Sequence, residues 1–484
     1  MTKKDYDAVV VGSGPNGLAA AIVMQQAGLS VLLAEAKDTI GGGLRTKELT
    51  LPGFRHDVCS AIHPLAECSP FFKRLPLHRY GLGYIYPQIA AAHPFDGGNA
   101  ASITTSLEQT AYSLGKDEKR YLRIIKPLVK DWSRLAPDIL GPLQFPRNPA
   151  AFAKFGLKAI TSASFLSRAF ATKEAKGLWA GMAAHSIQPL SNIATSAIGL
   201  VLLATGHVTG WPLIKGGAQA MADALAAHFV SLGGKIQTNF NIESFNQIPE
   251  TNAILFDITP KQLLKIAGHR FSAIYKWQMN RFRYGMGVFK IDWALDEPIP
   301  FTAAECRRAG TIHLGNTFQE IAASELQTSR GRVSDKPFVL LAQQSLFDPS
   351  RAPEGKHTAW AYCHVPNGSK TDMTDIIEKQ VERFAPGFRE RILARHTMNT
   401  FDIQSYNSNY VGGDINGGVI DITQLFTRPV IRFSPYRTSA KGIYICSSST
   451  PPGGGVHGMC GYYAAKRALK DVFGLKEKIG LSRE

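Results

Sequence analysis

Residues 7–46 read DAVVVGSGPNGLAAAIVMQQAGLSVLLAEAKDTIGGGLRT. A short β-rich run leads into Gly12, Gly14 and Gly17, a small-residue stretch of helical character follows, and SVLLAE closes on an acid, Glu35. The order strand, helix, strand, acid is that of a dinucleotide-binding unit. Gly12 permits the tight turn, Gly14 lets backbone approach a pyrophosphate, and Gly17 lets helix and strand pack closely. Ser13 and Asn16 lie inside this loop. The helix N-terminus behind it supplies amides and a positive dipole end. Glu35 stands where an acid bonds ribose hydroxyls and would repel a 2′-phosphate, which argues against NADP at this site.

Length and composition set the frame. A chain of 484 residues, 44% of them hydrophobic, is long enough for two lobes. No apolar run approaches the roughly 18 residues of a membrane span. Six cysteines (59, 68, 306, 363, 446 and 460) show neither a close redox pair nor zinc spacing. They read as reduced structural thiols in a cytoplasmic setting, with no metal site. The net charge of +16 comes from scattered Lys and Arg rather than from a cluster, and no nucleic-acid module is visible. A basic soluble surface is therefore expected, with no nucleic-acid partner.

A second glycine loop, Gly41, Gly42 and Gly43 with Arg45, follows the ribose acid. It allows another close backbone approach, and a guanidinium there either binds phosphate or orients the loop. Near the other end, TPPGGGVHGMCG at residues 450–461 is a glycine-rich loop feeding an amphipathic helix after the strand around Ile443 to Cys446. Such a loop suits an electron-rich ligand edge. Together GSGPNG, GGGLRT, the HVTGWPLIKGG of residues 207–217, the GGDINGG of residues 412–418 and the C-terminal loop resemble the phytoene-desaturase and retinol-saturase-like FAD oxidoreductases, over essentially the whole chain.

The resemblance implies an α/β fold of the two-dinucleotide-binding-domain flavoprotein type: a Rossmann-like FAD-binding domain with a mixed α+β substrate lobe. It implies non-covalent FAD, with contacts at Ala36, Gly42, Gly43, Arg45, Ser60, Ile242, Gly455, Val456, His457 and Met459. Where many relatives carry an acid after the C-terminal strand, this chain has CSSS, and Ser447 is the substitute donor. The FAD domain is expected to be discontinuous, residues 1–75, 205–265 and 430–484, with residues 76–204 and 266–429 as the substrate lobe. YGLGYIY lacks a third glycine and a following helix, so no second nucleotide domain is expected.

Catalytic candidates are fewer. His457 lies in the flavin-covering loop and is open to two readings, an acid/base or electrostatic role and a loop-stabilising hydrogen bond. Asp414 between glycines is either a substrate- or flavin-contacting acid or a turn residue. His185 and His207 read as satisfied interior histidines. The segment 150–173 is expected to form one helix with Phe152, Phe155, Ala159, Leu166 and Phe170 along one face and Lys154, Lys158 and Arg168 opposite. That pattern fits packing on its own lobe and also peripheral contact with the inner face of a membrane.

The expected function is hydride transfer at flavin N5 acting on carbon-carbon bonds, by desaturation or saturation, of a small lipophilic, isoprenoid-like substrate. Two alternatives stand beside it: amine or amino-acid oxidation on the same scaffold, and a membrane-associated flavin-containing regulatory protein with little turnover. The oligomeric state is open.

Overall fold

The run Ala8 to Val11 is apolar at every position because both of its faces are covered. In the computed structural model, which describes residues 4–425 and 427–476, it forms strand β1 (Tyr6–Val11). Helix α1 (Pro15–Gln26) and strand β2 (Val31–Ala34) follow. Pro15 opens α1 at its first position, where a missing N–H costs nothing, and Gly28, at φ +89°, turns the chain away after it. Ala8 and Val10 join the core beneath α1 with Leu18 and Ile22, while Val9 and Val11 face the opposite core with Leu263 and Phe271. A continuous hydrophobic strand is what a parallel sheet covered on both faces requires.

That sheet has five parallel strands in the order Ile443–Ile445, Thr251–Phe256, β1, β2, Lys235–Gln237. They come from three stretches far apart in the chain. The helix Met459–Ala468 returns to lie against α1. At the crossing an ideal Cβ on Gly461 would stand 1.8 Å from the Asn16 carbonyl oxygen, so the two helices meet backbone to backbone. Helices Pro260–Ala267 and Ala273–Asn280 also pack on this sheet through Leu263, Ile266, Tyr275 and Met279. This side of the molecule therefore runs on to Asn280, past the expected boundary at residue 265.

The second sheet is seven-stranded and mainly antiparallel. Its order is Ile392–Met398, Gly287–Leu295, His357–Val365, Val339–Ala342, Ala309–Leu314, Ile89–Pro94, Ala100–Ile103, with one parallel pair, Ala309–Leu314 beside Ile89–Pro94. Pairing places His313, Leu340, Tyr362 and Lys290 in one row, and Thr311, Ala342, Trp360 and Asp292 in the row two residues along, on the same face. The alternate positions Ile291, Trp293, Leu341 and Ala361 pack the other face.

Segment 150–173 is not one helix. Helix α2 (Pro149–Ala159) ends, and Ser162 and Thr172 each start a new helical piece by accepting the Phe165 and Ala175 N–H groups on their hydroxyls. Phe155, Ala159 and Phe170 are buried. Outward are Leu157, Ile160 and Phe165, between 56% and 76% exposed, beside Lys154 and Arg168. The expected division into an apolar and a basic face is thus replaced by a helix that is apolar within and partly apolar without. Helix α3 (Thr195–Val208) packs behind α2.

Candidate FAD and substrate cavity

One cavity of about 730 Å³ joins the two sheets. On the parallel-sheet side Gly12, Ser13, Gly14, Asn16, Glu35, Ala36 and Ile242 line it, at the carboxyl ends of the strands. The two further glycine loops contribute Gly42, Gly43, Arg45, Gly455 and Val456, with Ser60, Ala61 and Ser447 beside them. The wall on the second-sheet side is Val288, Lys290, Thr311, Leu340, Trp360 and Tyr362, closed by Ile198, Val201 and Leu202 of α3.

The residues fit FAD. An ideal Cβ on Gly42 would lie 3.0 Å from the Gly14 Cα, so the first two glycine loops touch and form one backbone floor. Asn16 is buried in the first of them with its Oδ1 unpartnered. Glu35, 6% exposed, accepts the Ser13 N–H at 3.1 Å and the Lys37 N–H at 2.9 Å, which fix its carboxylate at the end of β2, where a ribose would lie. Arg45 is committed to Glu35 Oε1 at 3.1 Å and to the Thr39 carbonyl at 2.6 Å. Of its two expected roles, it therefore orients the loop. Gly12 to Asn16 would hold the diphosphate, Glu35 a ribose, Ile242 the adenine, and Ser60, Ser447, Gly455 and Val456 the flavin half.

Four expected residues lie off the wall. Gly17 packs inside the turn, where an ideal Cβ would be 1.9 Å from the Gly12 carbonyl oxygen; this is the helix-strand packing role. Met459 is fully buried in the core beneath α1 and does not reach the cavity. His457 is a correction: its Nδ1 accepts the Met459 N–H at 3.0 Å, and burial pushes its pKa down to about 4. A neutral imidazole used at a helix start and away from the cavity is structural, not catalytic. Asp414 is also corrected: its carboxylate accepts the Gly285, Asn416 and Gly418 N–H groups at 2.8, 2.8 and 2.9 Å, as a turn organiser does. His207 is an interior residue bonded to the Tyr121 hydroxyl at 2.7 Å. His185 does line the cavity, with its Nε2 2.9 Å from His313 Nε2, and burial drives its pKa to about 3.

The substrate side was not visible as a set. Lys290, 4% exposed, pairs with the fully buried Asp292, whose second row of partners, His56 and His396, stands 3.6 Å away on either oxygen. Burial disfavours the Asp292 carboxylate, but Lys290 and the two histidines outweigh it and lower its pKa. Thr311 Oγ1 and Trp360 Nε1 are buried without hydrogen-bond partners. Lys290 in the apolar run GVFKIDWAL was the available signal, since a charge inside such a strand needs a reason. The others depend on strand pairing. Among the described residues no metal-binding cluster occurs, and all six cysteines are free.

Known proteins place this architecture. Residues 10–75 match the NAD(P)-binding Rossmann-like domain. Pyridine nucleotide-disulfide oxidoreductase domain-containing protein 2 of Rattus norvegicus is 25% identical, over 97% of this chain and 94% of its own. A lycopene-forming phytoene desaturase of a Paracoccus species is 22% identical over 94% and 95% of the two chains. The fold is shared with putrescine oxidase in its putrescine-bound structure, at TM-score 0.62 and 16% identity, over 97% of this chain and 99% of that one. The chain is an FAD-type oxidoreductase, related over nearly its full length to pyridine nucleotide-disulfide oxidoreductase domain-containing protein 2 and at lower identity to the phytoene desaturases.

Proposed function

We propose that this oxidoreductase acts on carbon-carbon bonds of a neutral, lipophilic, isoprenoid-like substrate. The observation that carries the reading is the charge pattern of the cavity wall. The carboxylates on it, Glu35, Glu243 and Asp257, all belong to the parallel-sheet side, whereas the substrate side carries Lys290 among Val288, Leu340, Trp360, Tyr362 and the α3 residues. A protonated amine would find no counter-ion there, and an apolar chain finds apolar walls. This favours the desaturase relatives over the amine oxidases, whose likeness concerns the fold.

Bound FAD supplies two-electron chemistry at N5. The protein's part is to seat the substrate against that atom and to keep water out. Ile198, Val201, Leu202 and Leu340 do the excluding. Lys290, held by Asp292, places a fixed positive charge on the wall where negative charge develops on reduction. Anaerobic addition of terpene and carotenoid alkenes to the yellow protein should bleach the flavin absorbance for at least one class, with amines inert. Bleaching by amines alone would reverse the assignment.

A further inference from the structure

We propose that Asp257 is a cofactor-binding residue whose carboxyl carries a proton when the FAD diphosphate is seated and donates it to that diphosphate in a hydrogen bond. The proposal rests on the FAD site described above, and on a geometry that a glycine-rich loop alone does not require.

Asp257 directly follows the strand Thr251–Phe256, the neighbour of β1, and its N–H donates to the Val11 carbonyl at 2.8 Å. The side chain therefore rises at the carboxyl end of the sheet, under the turn of residues 12–17. Its Oδ2 accepts the Gly17 N–H at 2.8 Å. An ideal Cβ on Gly12 would stand 3.3 Å from the Asp257 Cβ, and one on Gly14 would stand 2.7 Å from Oδ2. The glycines that let backbone approach a diphosphate thus also make room for this acid.

The carboxyl occupies the Gly17 N–H, one of the few donors the first turn leaves free. In the first turn of α1 Pro15 has no N–H, Gly17 is taken by Asp257, and the Leu18 N–H donates to the Gly14 carbonyl at 2.9 Å. The Asn16 N–H is left. The other carboxyl oxygen, Oδ1, makes no hydrogen bond within the described residues, and Asp257 lines the cavity. Ionised, the group would set a negative charge beside a diphosphate in a buried site; protonated, it replaces the lost donor.

Among the described residues no cation acts on the carboxyl to hold its ionised form. Glu35 at the end of β2 is itself an acid. Cys446 beyond the edge strand and Cys460 on the last helix are thiols that burial keeps neutral. Arg45 is engaged by Glu35 and is not among the groups acting on Asp257. Burial, aided by Glu35 and opposed by the Gly17 N–H, lifts the Asp257 pKa to about 7. An adjacent diphosphate raises it further.

The test uses the full chain stripped of FAD and titrated with FAD across roughly pH 6 to 9, binding being read from flavin fluorescence. The wild type should lose up to about tenfold in affinity per pH unit above the pKa of the group. Asp257→Asn, which keeps a donor without a titration, should bind independently of pH, near the acid-limit affinity of the wild type. Calorimetry in two buffers of different ionisation enthalpy should show proton uptake on binding at the alkaline end in the wild type alone. A pH-independent wild type, or an Asp257→Asn variant with the wild-type slope, overturns the proposal. If that variant does not fold, Asp257→Ser serves with the same expected loss of slope. A wild type that takes up no FAD at any pH overturns the cofactor assignment and this proposal with it.

Discussion

Lys290 and Asp292 show how a single ion pair is set inside a wall that is otherwise apolar. The pair is buried on both sides, so removing one partner leaves an uncompensated charge. Lys290→Met should lower stability by about 3–5 kcal/mol, measured by denaturant unfolding. Adding Asp292→Asn to it should restore most of that loss. If Lys290 also serves the reaction, the double variant regains its melting temperature but not its turnover; recovery of both would remove the proposed electrostatic role. The glycine fingerprint and Glu35 were legible in the sequence because their chemistry is local, a turn and the acid after the next strand. Asp257 was legible in principle, as an acid ending the apolar run AILF, but its meaning comes from a strand that pairs with β1 from 240 residues away in the Gly17 contact.

Elements differ in how much of them a periodic reading captures. The helix Gln219–Ser231 buries Ala222, Leu225, Ala226 and Phe229, as its spacing implies. Segment 150–173 misled because apolar spacing continued across two capping hydroxyls, and a cap outweighs periodicity in placing a helix end. Its correction shifts the expected membrane contact from Phe155 and Phe170 to Leu157, Ile160 and Phe165. No helix among the described residues is long and apolar enough to cross a bilayer; Leu157, Ile160 and Phe165 are the exposed apolar residues of this segment on which peripheral contact is tested. Leu157, Ile160 and Phe165 together changed to Ser should abolish flotation with anionic liposomes while leaving the flavin spectrum intact. Undiminished flotation would clear α2 of the role. His457 belongs to the same lesson: its position in the loop was legible, but its imidazole is turned to the Met459 N–H by the fold of the helix start.

At the scale of the whole molecule the buried histidines predict a loss of stability in acid. Burial pushes His56, His63, His93 and His207 down to about 4, and His185 to about 3. In the unfolded chain each takes its proton near pH 6.5. Between those values the unfolded chain binds more protons than the folded one, so stability is intact above about pH 6.5 and falls as pH drops toward 4. A shift of about two units is on the order of 3 kcal/mol for a single group, a sizeable share of the stability of a domain. The melting temperature should fall steeply across that window; a flat profile would mean that these side chains reach water. The lobe architecture was legible from motifs at both ends of the chain, whereas the row of Thr311, Ala342, Trp360 and Asp292 was not, because four separate strands must pair before it exists.

The parallel sheet ends on the strand Ile443–Ile445, and Gly454 to Val456 on the cavity wall follow it. During synthesis the strand Thr251–Phe256 therefore waits with one hydrogen-bonding edge bare while nearly two hundred further residues emerge, and a bare edge invites pairing with another chain. That interval is an aggregation hazard for the nascent protein, and the cavity wall is complete only when it is over.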